Sequence, residues 1–373
     1  MLASTCVTLV TILVIIYAYN SARNKQLYFK RCALLDPERS AWSRLLASQD
    51  DGSFTLLTGF NYEAFYQLCD ALFTRNDVER ERKRRGRPQL LSLVDKVGLY
   101  LVYVGSSMTQ QELGVIFGIL QPTVSTILTD MLELICSKLV RNPLSRIRFP
   151  GRDVLEEFAS MVERRDRHIP DVIGFLDGCQ FRIQCSVEDN PTYYSYHGDT
   201  TINNIFLFSP KGTIIYARVN FPGSWHDATL ARQLMEIAQT KLYEFKIVVD
   251  QGFKRSGVML NKFVGPLSKR ARANLDPQNR RDILRLSNRY VSLRQAAEWG
   301  MRSLQGTFTR LKTRLTSDHS KRRKLLTSIL YLHNFRTNVM DVGQIATVFG
   351  EEYERCVSID GYDRLKNYFA PLD

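Results

Sequence analysis

Apolar and polar positions divide the chain into a helical first half and a mixed second half. From residue 27 to residue 140 apolar positions recur at three- and four-residue intervals, and no alternating strand run lies among them. A charged break interrupts this pattern at residues 79–88 (ERERKRRGRP), between Phe73 and the apolar run that starts at Leu90. Near Ile147 the character changes. Short β-branched and aromatic runs at residues 172–176, 203–208, 213–219 and 245–249 predict four strands, and residues 227–242 predict a helix between the third and the fourth. A loop rich in Pro, Arg and Asn is expected over residues 265–288, followed by amphipathic helices at 293–311 and 324–338. Three consecutive strands followed by alternating helix and strand predict an α/β fold, of which an RNase H-like mixed sheet with flanking helices is one option. The expected division is an apolar segment at 1–26, a helical domain at 27–145, the α/β domain at 146–345 and a tail at 346–373.

The opening segment stands apart. Residues 2–19 carry no charge, and Arg23 and Lys25 follow. That length suits a marginal membrane helix with a basic cytoplasmic flank. It equally reads as a buried amino-terminal helix or as sequence ahead of the true start. No basic residue or A-x-A site marks it as a signal peptide.

Within the helical half, residues 92–105 form one apolar helix. Thr109 begins a second with the capping pattern T-Q-Q-E, Glu112 standing three residues on. That helix breaks at Gly118, and a third opens with Pro122 in its first turn. Leu113, Phe117, Leu120, Val124, Ile127 and Leu128 are spaced to close a small core. Helix, glycine turn and helix make either a helix-turn-helix or an ordinary helical hairpin. In the first case Gln121, Thr123, Ser125 and Thr126 sit at the exposed start of the recognition helix. That helix start has no cation, so phosphate neutralisation must come from elsewhere. One source is the run Arg82, Lys83, Arg84, Arg85, Gly86, Arg87, whose R-G-R-P core suits an A·T minor groove. The same run fits a nuclear import signal, and it also reads as a solvated linker. The run KRRK at residues 321–324 carries the same ambiguity.

The second half presents carboxylates at chosen places. Asp177 closes the run VIGFLDG, and Asp250 closes FKIVVDQG. A carboxylate just past the end of a buried strand lies at the usual ligand crevice of an α/β sheet. Glu298 borders the apolar stripe of its helix, and its surface alternative is an i,i+4 pair with Arg302. Two Asp and one Glu are hard oxygen donors suited to Mg²⁺ or Mn²⁺. Two such ions polarise a phosphodiester and activate a water or 3′-hydroxyl. Asp227, in FPGSWHDATLAR, is either a helix-start residue or a fourth acid near the metal.

Charge and cysteines narrow the setting. The 373 residues hold 51 Lys and Arg against 38 Asp and Glu, a net +13 that suits a polyanionic partner such as DNA. Seven scattered cysteines without a C-x-x-C pair argue for a reducing compartment, without a disulfide framework or structural zinc.

Taken together, GFLDG (174–178), INNIFLFSPKGTIIYARVNFPGSWHDATLAR (202–232), VVDQGF (248–253), RQAAEWGMRSLQGTFTRLK (294–312) and YLHNFRT (331–337) resemble the PIF/Harbinger group of DDE transposases and the nucleases derived from them. The resemblance implies an RNase H-like catalytic domain with a metal-binding triad at Asp177, Asp250 and Glu298, and Asp227 at the acidic position of P-G-S-x-x-D. It also implies an all-α helix-turn-helix domain ahead of it, DNA as substrate, and a separate Myb-like DNA-binding protein as partner. The expected activity is metal-dependent DNA cleavage and strand transfer in the nucleus, with Arg302 and basic residues of 262–289 on the phosphates. A homo-oligomer, a membrane-tethered form and a silent DNA-binding adaptor stay open. Gly178, Cys179 and Gln180 depart from the family's Gly-Thr-His, and the family often has a Gly before the Asp250 position.

Overall fold

Five strands form one mixed sheet at the centre of the second half: β1 (Val172–Arg182), β2 (Thr201–Phe208), β3 (Ile214–Pro222), β4 (Lys246–Val248) and β5 (Phe263–Val264). The computed structural model of the chain describes residues 11–17, 29–83, 89–185, 190–194, 198–253, 261–275, 277–278 and 280–350. The strand order is β3-β2-β1-β4-β5. β2 runs antiparallel to both its neighbours, while β1, β4 and β5 run parallel. β2 is buried along its whole length, including Asn203 and Asn204. Helices flank the sheet, consistent with the RNase H-like expectation. Two of them, α8 (Arg152–Arg165) and α10 (Arg280–Thr307), pack on β1, and α11 (His319–Met340) packs on β3. This half also holds the helices α9 (Arg232–Lys241) and α12 (Gln344–Phe349).

The first half is helical as expected: α1 (Ala41–Ser48), α2 (Asp51–Thr58), α3 (Tyr62–Leu72), α4 (Arg75–Lys83), α5 (Leu93–Gly105), α6 (Gln110–Phe117) and α7 (Gln121–Leu139). Local chemistry sets the boundaries. Ser92 with Asp95, and Thr109 with Glu112, each form a capping box that satisfies free amides at the starts of α5 and α6. Gly118 ends α6 at φ +68°, and a Cβ there would lie 2.5 Å from the Leu35 carbonyl oxygen. Glycine serves both needs. The axes of α6 and α7 meet at 98°, within the helix-turn-helix range.

The apolar core runs without interruption from these helices into the sheet. Polar joints reinforce it. Thr309 Oγ1 donates to the Gly105 carbonyl at 2.6 Å. Arg310 donates to Tyr103 and Met108 carbonyls at 3.0 and 2.6 Å. Burial lowers the Arg310 pKa from its ordinary value, and the guanidinium lies over the Tyr103 ring.

Several sequence expectations are corrected. Residues 79–83 belong to α4 instead of a charged break, because no Gly or Pro interrupts them and Thr74 with Asp77 starts the helix. β1 continues through Arg182, since β2 pairs with it residue by residue as far as Thr201. The helix expected at 293–311 begins thirteen residues earlier, at Arg280, and ends at Thr307. Residues 280–289 are too polar to show an apolar stripe, yet they contain no breaker. The helix expected at 227–242 is two pieces, Asp227–Leu230 and α9. Of the apolar segment at 2–19, only residues 11–17 are described; they are helical, and residues 12–17 include large exposed apolar side chains. Among the described residues no single helix is long and apolar enough to cross a membrane.

Candidate active site

β1 and β4 are parallel neighbours, and the chain just past the end of β4 carries Asp250. Their parallel register pairs Phe175 with Val248. Two residues further along each chain stand Asp177 and Asp250. Asp250 lies two residues past the end of β4, whereas Asp177 lies inside β1, half-buried, with Oδ1 accepting the Gly178 amide at 3.0 Å.

The third carboxylate comes from α10. Gly300 lets that helix lie close on β2, for a Cβ there would sit 2.7 Å from the Phe208 ring. Gln305 Nε2 lies 3.3 Å from Cys179 Sγ, two residues beyond Asp177, and fixes the helix along β1. Glu298 is then exposed beside the strand ends. Its partner is Arg294, one turn earlier, whose Nη2 donates to Oε1 at 2.6 Å. Nη1 of the same guanidinium stands 3.9 Å from Asp250 Oδ1. The alternative Glu298–Arg302 pair is not formed among the described residues. Arg294 is half-buried on the side of α10 that reaches Asp250, whereas Arg302 is exposed.

Asp227 opens a one-turn helix, and its side chain lies outside the described part of the structure. The loop that delivers it is firmly held. Asn203 Nδ2 donates to the Trp225 carbonyl at 2.8 Å, and Ser224 Oγ donates to the Thr192 carbonyl at 2.9 Å.

Three carboxylates on two adjacent strands and a packed helix are hard oxygen donors of the kind Mg²⁺ or Mn²⁺ takes. As they stand, Asp250 and Glu298 are gathered on a guanidinium, and among the described residues no three His, Cys, Asp or Glu side chains are spaced around an ion position. Donor chemistry fits the ion, and two of the three acids, Asp250 and Glu298, share the Arg294 guanidinium.

Basic residues flank this corner. Gln251 Nε2 donates to the Leu267 carbonyl at 3.2 Å, and the Leu267 amide donates to Ser287 Oγ at 3.0 Å. These bonds tie the Asp250 loop to a short helix (Lys269–Ala273) and to the start of α10. Lys269, Arg270, Arg280 and Arg281 are exposed there. Arg294 opens the motif at 294–312, and its place four residues before Glu298 is the sequence signal for this pair.

The other candidate nucleic-acid residues fare differently. Gln121, Thr123 and Ser125 are half-buried instead of exposed; only Thr126 is open. Gln121 Nε2 donates to Gln110 Oε1 at 2.8 Å. The segment before α1 crosses the turn, where Arg31 Nη1 donates to the Gly118 carbonyl at 2.8 Å. A cavity of about 350 Å³ lined by Phe29, Leu34, Ile119 and Pro122 lies beside it. Arg84, Arg85 and Arg87 lie outside the described residues, as do the side chains of Arg82 and Lys83 at the end of α4. The KRRK run is partly structural. Arg322 is 1% exposed, and Lys324 pairs with Glu133 of α7.

The last motif, YLHNF, is also structural. Asn334 accepts from the Ile214 amide at 2.7 Å and donates to its carbonyl at 2.8 Å, so it grips the start of β3 as a strand would. His333 is buried beside the Gly212 carbonyl, 3.2 Å from Nε2, and burial lowers its pKa to about 4.

Residues 176–334 match the DDE superfamily endonuclease family. The human protein "Putative nuclease HARBI1" is 24% identical over 180 residues, which cover 47% of this chain and 48% of that protein. The chain thus spans about half the length of the curated relative it matches. No solved structure matches it. Residues 176–334 of this chain are thus similar to the DDE superfamily endonucleases, and the chain shares a weaker likeness with a nuclease of Harbinger transposase origin.

Proposed function

We propose that the chain is a divalent-metal-dependent DNA endonuclease and strand-transfer enzyme of transposon origin, built on an RNase H-like domain. The observations that support this reading are the parallel register of β1 and β4, which brings Asp177 towards the chain that carries Asp250, and the Arg294 guanidinium shared by Asp250 and Glu298, inside the matched family region. These three carboxylates, with Asp227, would hold the metal. Mg²⁺ or Mn²⁺ supplies polarisation of the phosphodiester and a more acidic water or 3′-hydroxyl when bound. The chain's own residues do the rest. Lys269, Arg270, Arg280 and Arg281, with Arg302, hold the DNA backbone beside the acids, a contact that weakens as salt rises. Gln305 and Gly300 keep α10, and so Glu298, at a fixed height over β1 and β2.

The α6–α7 pair reads as a helix-turn-helix, yet its half-buried start offers few groups to base edges. Sequence recognition is therefore assigned to a separate Myb-like DNA-binding protein. The basic run 82–88 serves nuclear import or the minor groove.

The test is cleavage of a duplex carrying the source element's terminal repeats, with Mg²⁺ or Mn²⁺ and with Asp177→Asn, Asp250→Asn and Glu298→Gln variants. Metal-dependent cleavage lost in each variant is expected. Salt-dependent binding without any cleavage would instead indicate a silent DNA-binding adaptor.

A further inference from the structure

One guanidinium joins the strand carboxylate to the helix carboxylate. Arg294 reaches Glu298 Oε1 at 2.6 Å and Asp250 Oδ1 at 3.9 Å, with its own side chain 29% exposed. An arginine keeps its charge at any working pH. It thus gathers two acids that would otherwise repel each other. The same oxygen lone pairs are the ones a divalent ion needs. Guanidinium and ion cannot both hold Glu298 Oε1 and Asp250 Oδ1, and like charges at this range oppose each other.

We propose that Arg294 is a resident counter-cation, a positioning residue that holds Asp250 and Glu298 together and must swing aside for the metal to bind. This rests on the metal-dependent reading above. The two contacts are unequal, so the looser one, to Asp250, opens first. Arg294 then remains within reach of the corner, tethered one turn from Glu298. Metal affinity is the difference between ion binding and guanidinium release, so the arginine weakens binding while keeping the metal-free site assembled.

The experiment is a Mn²⁺ titration of the full chain, reading free Mn²⁺ by electron paramagnetic resonance. A parallel thermal melt with and without the ion checks folding. Arg294→Gln is expected to bind Mn²⁺ roughly tenfold more tightly than wild type, an effect kept modest by solvent. Its melting temperature should rise more on Mn²⁺ addition. Arg294→Lys keeps the charge and should stay near wild type. Asp250→Asn and Glu298→Gln should both weaken binding. If these carboxylate variants lose Mn²⁺ while Arg294→Gln binds it equally or less well, the counter-cation role is overturned. If wild type and every variant fail to bind Mn²⁺, the metal-dependent reading falls, and the role of Arg294 falls with it.

Discussion

Two arginines on successive helices meet opposite needs. Arg322, on α11, is 1% exposed, and among the described residues no carboxylate pairs with it. Its Nε donates to Asn220 Oδ1 at 2.5 Å, and Nη1 donates to the Thr316 and Ser317 carbonyls at 2.9 and 3.0 Å. Its guanidinium lies over the Tyr193 ring. Asn220, at φ +70°, donates its backbone amide to Asn204 Oδ1 at 2.8 Å. Asn204 in turn donates to the Cys179 carbonyl at 3.0 Å. A buried cation surrounded by neutral oxygens thus staples β1, β2 and β3 behind the site. Arg294, on α10, is partly open to solvent and meets two carboxylates. Fixed neutral partners make a charge structural, whereas exposed partners with competing uses make it exchangeable.

This contrast sets the order of the expected effects. Arg322→Ala strips Asn220 and two carbonyls of their donor and opens a cavity. Urea denaturation should show a loss of about 3–5 kcal/mol. A loss under about 1 kcal/mol would place Arg322 with the exchangeable arginines.

His333, on the same helix, extends the buried side of the comparison. Held neutral in the fold, with pKa lowered from 6.5 to about 4, it takes its proton first in the unfolded chain. Its contribution is complete above pH 6.5, falls between pH 6.5 and 4, and levels off below. The ceiling is about 3 kcal/mol. Denaturation midpoints measured across that window should decline in wild type, and the decline should be shallower in His333→Gln.

Gly300→Ala drives a methyl against Phe208 and lifts α10. A loss of about 1–3 kcal/mol is expected, with a larger proportional loss of cleavage because Glu298 moves with the helix. Equal loss of stability and activity would remove the positioning role from α10.

The smallest change is Arg294→Gln without metal. An ion pair this open should cost under about 1 kcal/mol by urea denaturation. A cost near that of Arg322→Ala would erase the contrast.

Local signals were the most legible in the sequence. The capping pattern at Thr109 and Glu112, the turn at Gly118 and the Pro122 start all involve residues within a few positions, and all stand where expected. Asp250 at a strand end was equally readable, since a buried apolar run stops there. What stayed hidden depends on distant partners. The polar half of β1 is a strand only because β2 pairs with it. β5 is two residues long and has no pattern of its own. Arg322 and Arg323 are neighbours in one basic run, yet one is buried and the other exposed. Which arginine meets Glu298 depended on where the end of β4 lies beside α10.

Asp177, Asp250 and Glu298 are proposed above to form a metal-dependent cleavage site. Nicking of supercoiled plasmid with Mn²⁺ tests it, comparing wild type with Asp250→Asn protein of matched denaturation midpoint. Nicking that EDTA abolishes and that falls roughly 10³-fold in the variant, equivalent to about 4 kcal/mol of barrier, is expected. Nicking by Asp250→Asn at the wild-type rate would contradict it.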